Sequence, residues 1–245
     1  MKLGKVAQIN IGVSDLQHSL AFYEKLGYEN IEASDDPYPW ARLTDGQNLI
    51  LLNQDGNQYI GLVYFSRDAT RRVSNLEKAG IEIVQRREQE GQIMMAIFVG
   101  PGGLVVGLIN HDPEGMPQPS GHPATKCGTF GEFAVPVDDF QAAMAFWRKL
   151  GFTSLYESDD PYPWGIVSDE NIVLGLHENM EYGDEIDFNG PAMTYFAPDM
   201  AKRIDRLKED GFSFEKELKT ESGLVNNATL LGPDGELLFL FEGEI

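Results

Sequence analysis

The chain switches repeatedly between two hydrophobic periods. At residues 6–13 the apolar positions Val6, Ile9, Ile11 and Val13 are separated by small or polar residues, which predicts a strand. Asp15 follows where a helix N-cap belongs. Leu16, Leu20, Tyr23 and Leu26 then recur at helical spacing, and Gly27 ends the helix. Strands are predicted at residues 28–33, 40–43 and 49–52, the last two separated by a turn at Asp45-Gly46. This is one βαβββ unit. A second follows at once, with a strand at 60–65 and a helix opened by Asp68, carrying Val73 and Leu76 inward and ending at Gly80. Strands at 81–84, 93–99 and 104–109 complete it, with Gly100-Pro101-Gly102-Gly103 turning between the last two.

Residues 111–126 are rich in Pro, Gly and Ser and have no period, as a linker would. Beyond them the pattern starts again. A strand is predicted at 130–137 and a helix at 139–151. Three strands ending near Leu176 follow, then a strand at 192–196 and a helix at 199–211 with Ile204 and Leu207 inward. Three closing strands carry the turn Gly232-Pro233-Asp234-Gly235. The second half repeats the first in detail. The stretch SDDPYPW stands at 34–40 and again at 158–164, an offset of 159 − 35 = 124 residues, and Lys25-Leu26-Gly27-Tyr28 faces Lys149-Leu150-Gly151-Phe152. An internal repeat of this kind governs the whole fold assignment. The expected class is α+β, with four βαβββ modules forming two domains with curved mixed sheets. The domains are expected at residues 1–110 and 127–245, helices on the convex side and clefts on the concave side.

Composition narrows the partners. The formal net charge is −20, so nucleic acid and anionic membranes are poor partners and a small-molecule ligand is the expected one; a cation would be attracted. The single cysteine, Cys127, forbids an intramolecular disulfide, which is compatible with a reducing cytosol. No secretory signal and no apolar run near the ~20 residues of a membrane span is present, so a cytoplasmic protein is expected. Oligomeric state is open.

Four modules, each helix opened by Asp and closed by Gly, together with the Leu-Gly-Tyr/Phe helix ends and the Gly-Pro-x-Gly turns, resemble the vicinal oxygen chelate superfamily. That group includes glyoxalase I, extradiol dioxygenases and bleomycin-resistance proteins. The resemblance implies a ligand cleft in each half. In the family's metalloenzymes it implies a divalent metal held by His, Glu or Gln, because the cation must be neutralised yet left open to substrate oxygens. The position seven residues before the first helix-capping Asp is Gln8 in one half and Glu132 in the other, and both can ligate. The remaining family positions fall at Leu51 and at Leu174 or Gly175, at Gly61 and Ala192, and at Gly107 and Phe239, none of which can. No metal and no other cofactor is therefore expected. The implied function is metal-independent small-molecule binding of the bleomycin-resistance type, with an aromatic or cationic ligand in an acidic cleft. The alternative is a metal-dependent lyase or dioxygenase of the glyoxalase I or extradiol type, so enzymatic activity stays open, leaning against.

The candidate ligand-binding residues are Gln8, Tyr38, Trp40, Glu132, Tyr162, Trp164 and His177; catalytic residues are not assigned. Each has a plainer reading. Gln8 and Glu132 could be strand residues satisfied by neighbours, and His177, facing Gln54 in the other half, could bond only backbone or water. The Tyr–Trp pairs could plug the open ends of the sheets or pack one half on the other. Asp35-Asp36 and Asp159-Asp160 read as turn residues before Pro, and Cys127 as structural.

Overall fold

The structure is a computed structural model and describes residues 1–178 and 188–245. The first half contains β1 (Val6–Gly12), α1 (Leu16–Leu26), β2 (Glu29–Ser34), β3 (Trp40–Thr44) and β4 (Leu49–Asn53). It continues with β5 (Tyr59–Ser66), α2 (Ala69–Lys78), β6 (Gln85–Gln89), β7 (Gln92–Val99) and β8 (Val105–Asn110). The second half contains β9 (Thr129–Val137), α3 (Phe140–Lys149), β10 (Thr153–Ser158), β11 (Trp164–Ser168) and β12 (Val173–Glu178). It continues with β13 (Ala192–Ala197), α4 (Met200–Glu209), β14 (Phe214–Lys219), β15 (Val225–Leu231) and β16 (Leu237–Glu242). None of the described helices is long and apolar enough to cross a membrane.

Each half forms one eight-stranded sheet with the same order, β2-β3-β4-β1-β5-β8-β7-β6 and β10-β11-β12-β9-β13-β16-β15-β14. Two modules therefore pair within a half, through the antiparallel centres β1·β5 and β9·β13. Strand alternation sorts the side chains. On β9, Phe133, Val135 and Val137 join the convex core with helix residues such as Trp147 and Ile204, whereas Ala134 faces the concave side with Ala192 and Phe239.

Two local expectations shift. Residues 81–84 are not a strand; the chain pairs only at β6, whose five polar residues are all exposed. An outer strand with no buried face carries no apolar alternation to read. The four helices are also capped differently. Asp15 and Asp139 accept from the backbone N–H of His18 and Ala142. Asp68 and Asp199 make no such cap bond. Their carboxylates are taken instead by Arg71 and Arg72 and by Arg203, one turn along.

The halves meet through α1 and α3, and one continuous core crosses between them. The contact is reciprocal. The turn at Gly100 lies against Trp147 of α3. Asp234 of the matching turn accepts from Ser19 of α1 at 2.9 Å, and Glu236 accepts from Tyr23 at 2.6 Å. Between them Tyr28 and Tyr195 share a 2.6 Å hydroxyl contact, and Tyr195 donates to buried Asp45 at 3.0 Å.

Candidate functional site

SDDPYPW builds the same loop twice. Asp36-Pro37 and Asp160-Pro161 are cis peptides. Ser34 and Ser158 accept from the N–H of Asp36 and Asp160 at 3.1 Å, and the Trp40 and Trp164 indoles donate back to those Asp carbonyls at 3.2 Å. These bonds deliver a Trp to the first position of β3 or β11 in a fixed orientation.

Register then decides what each Trp meets. Trp164 stands opposite His177 and Trp40 opposite Asn53. The counterpart of His177 is therefore Asn53, not Gln54. Gln54 and Glu178 do another job, accepting from Leu16 N and Phe140 N at the starts of α1 and α3.

In the second half the Trp164 and His177 rings stack with an interplanar angle of 4° at 5.7 Å. His177 Nε2 lies 2.8 Å from Glu132 Oε1, and its Nδ1 lies 3.1 Å from the Tyr162 hydroxyl. An ionised Glu132 can only accept, so Nε2 carries the proton; a neutral imidazole then accepts from Tyr162 at Nδ1. Glu132 is only 5% exposed, and its Oε2 has no hydrogen-bond donor among the described residues. The carboxylate lies across Gly175, where any Cβ would collide with it. Phe188, Phe239 and Phe241 form an aromatic chain that reaches His177. On the next strand Thr194 is paired directly with Glu132; its hydroxyl is buried and has no partner among the described residues. Sequence reasoning missed Phe188 and Thr194. Phe188 has no periodic neighbours, and nothing in a strand pattern marks a hydroxyl as unpaired.

The first half diverges at the same places. Gln8 Nε2 donates to Asn10 Oδ1 at 2.8 Å, and Gln8 Oε1 accepts from Arg42 Nε at 3.2 Å. The Arg42 guanidinium lies 5.5 Å from the Trp40 ring and pairs with Glu32. Asn53 Nδ2 donates to the Tyr59 hydroxyl at 2.9 Å, and the Tyr59 ring crosses Gly12. Burial and nearby Asp55 raise the Tyr59 phenol well above its ordinary range. Tyr38 stays exposed at 36%. A uniformly acidic pair of clefts is thus not what the chain forms, because Arg42 puts a cation in the first.

The donor set does not fit a family-type metal. Strand register matches Leu51 with Gly175, facing Asn10 and Ala134, so each half offers one family-position donor, Gln8 or Glu132. The space a ligating side chain at 175 would need is filled by Glu132 itself. Among the described residues no three His, Cys, Asp or Glu side chains converge. Cys127 is fully buried and burial pushes its thiol up to about 12, so it is no nucleophile.

By sequence, residues 129–238 match the Glyoxalase/Bleomycin resistance protein/Dioxygenase superfamily. The match covers the second half, and the first half repeats that half's topology strand for strand. Similar structures include a catechol 2,3-dioxygenase (16% identity, 99% of this chain and 89% of that one, TM-score 0.57). An extradiol ring-cleaving dioxygenase from B. fuscum aligns at 11% identity over 100% and 73% with TM-score 0.63. Homoprotocatechuate 2,3-dioxygenase from Arthrobacter globiformis aligns at 15% over 100% and 81% with TM-score 0.60. A comparison with curated proteins finds no match.

Proposed function

We propose that the concave face of the second half binds a small planar, positively charged molecule without a metal. The observation that carries this is Glu132, a buried carboxylate with one oxygen held by His177 and the other left without a donor among the described residues, beside an aromatic wall. A carboxylate oxygen in apolar surroundings needs a donor or a cation, and aromatic faces attract the same cation. His177 and Tyr162 orient the carboxylate, and Thr194 offers the ligand a further hydroxyl.

A second reading, the metal-dependent dioxygenase or lyase, is favoured by the comparisons, since the similar structures quoted are dioxygenases. Two measurements separate the readings. Phenyltrimethylammonium titrated into the purified protein is expected to quench Trp fluorescence saturably, and Glu132→Gln is expected to weaken binding at least tenfold, about 1.4 kcal/mol. Elemental analysis is expected to find no stoichiometric metal. About one Fe, Mn, Ni or Zn per chain, lost in Glu132→Gln, would transfer the assignment to the metal-dependent reading.

A further inference from the structure

We infer that the concave face of the first half is a separate site of opposite polarity, built for an aryl carboxylate. The inference does not depend on the reading of the second half. At the position of Ile166 in the second half, the first half carries Arg42, whose side chain is only 13% exposed. A guanidinium has five N–H donors and no acceptor. Gln8 Oε1 takes Nε, and Glu32, 47% exposed on the outer strand β2, takes Nη1. No other group among the described residues bonds the guanidinium. Asn10 is 7% exposed; its Oδ1 is occupied by Gln8, and its Nδ2 has no acceptor among the described residues. Unfilled donors thus gather where the second half presents an unfilled acceptor, and a carboxylate is the group whose two oxygens a guanidinium matches.

The rest of such a ligand would lie along the same register row. Gln8 pairs with Val63, and Val63 with Gly107. Gly107 stands where the second half has Phe239, so the first half carries no ring at this position, although a Cβ there would press on the Val63 side chain at 3.2 Å. Two strand steps separate Gln8 from Gly107, about 10 Å, enough for a carboxylate at one end and a ring at the other. The far end is closed. Met116, just after the 3-10 turn Pro113–Gly115 of the linker, is buried with Val6, Leu49 and Phe65 in a cluster that Ile31, Val63 and Ile109 also border. The linker therefore serves as an end wall of this cup, and the Tyr59 ring covers Gly12 at the other end.

The test titrates the full chain with 2-naphthoate and its neutral counterpart 2-naphthamide, read by calorimetry. Naphthoate is expected to bind at least tenfold more tightly than the amide. Arg42→Met is expected to remove that preference. Gly107→Phe, which installs the residue of the other half, is expected to weaken both ligands at least tenfold without lowering the thermal midpoint enough to unfold the protein. Glu132→Gln is expected to leave naphthoate binding unchanged, which separates this site from the one in the second half. Equal binding of acid and amide, naphthoate binding that survives both Arg42→Met and Gly107→Phe, or no naphthoate binding to the wild-type chain would each overturn the assignment.

Discussion

Gly175 shows how much one side chain can decide. Its missing Cβ lets the Glu132 carboxylate lie flat across β12 and reach His177. Gly175→Ala is expected to push Glu132 off that position. An added methyl in a packed site costs about 1–3 kcal/mol, so the variant should unfold at lower denaturant concentration and lose ligand affinity in the second half only. The paired control is Leu51→Ala at the matching position, which should cost stability alone. Gln8 and Glu132 could be singled out in the sequence only through the family resemblance, whose first-strand position seven residues before the capping Asp they occupy. Arg42 was not legible. A lone arginine in a strand reads as an exposed charge, and only the neighbouring Gln8, Trp40 and Glu32 hold it over the concave face. His177 was legible as a polar strand end, yet its counterpart needed the register, since one residue decides between Asn53 and Gln54 and thereby which face is reached.

At the scale of elements, the repeated SDDPYPW loop is a structural clamp that fixes one Trp at the start of an inner strand in each half. The indole N–H bonds to the Asp carbonyl are the same in both copies, whereas the surroundings of the two rings differ: His177 in one, Arg42 in the other. Trp40→Phe and Trp164→Phe each remove one such bond, at a cost of about 1 kcal/mol. Equilibrium unfolding should show similar losses for the two variants. Binding of phenyltrimethylammonium should weaken only with Trp164→Phe. Equal and severe loss of folding, with ligand affinity untouched, would make the motif a packing plug alone. The helices and inner strands were legible because one buried face imposes a period. The outer strand β6 was not, because five exposed polar residues impose none.

Across the whole molecule the two seams between halves are unequal copies. Tyr23 corresponds to Trp147 and Glu236 to Leu104 through the repeat and the matching turns. One seam therefore buries a hydrogen-bonded phenol and carboxyl, and the other an indole whose Nε1–H has no partner among the described residues. Burial raises the Glu236 carboxyl above its ordinary 4.5, and the Tyr23 bond works against that shift. The fold thus favours the protonated form. Its contribution is fully present below 4.5 and is lost as pH rises through the raised folded value. Tyr23→Phe is expected to cost about 1–3 kcal/mol at about pH 8 by leaving Glu236 Oε1 without the Tyr23 donor while Asp234 N–H still reaches Oε2, and less as pH falls toward about 4.5. Tyr23→Phe with Glu236→Leu should recover most of the loss at the higher pH; chemical denaturation at the two pH values checks both. The sequence by itself determined that there are four βαβββ modules in two like halves. Periodicity, Asp and Gly at helix ends and an unchanged duplicated loop are local signals, and local signals survive in one dimension. Only the tertiary structure decided that modules pair within a half, that the linker closes one cup, and that the two cups carry opposite polarity. Those outcomes depend on register and on contacts between residues tens of positions apart, where a shift of one residue or one glycine reverses which groups meet.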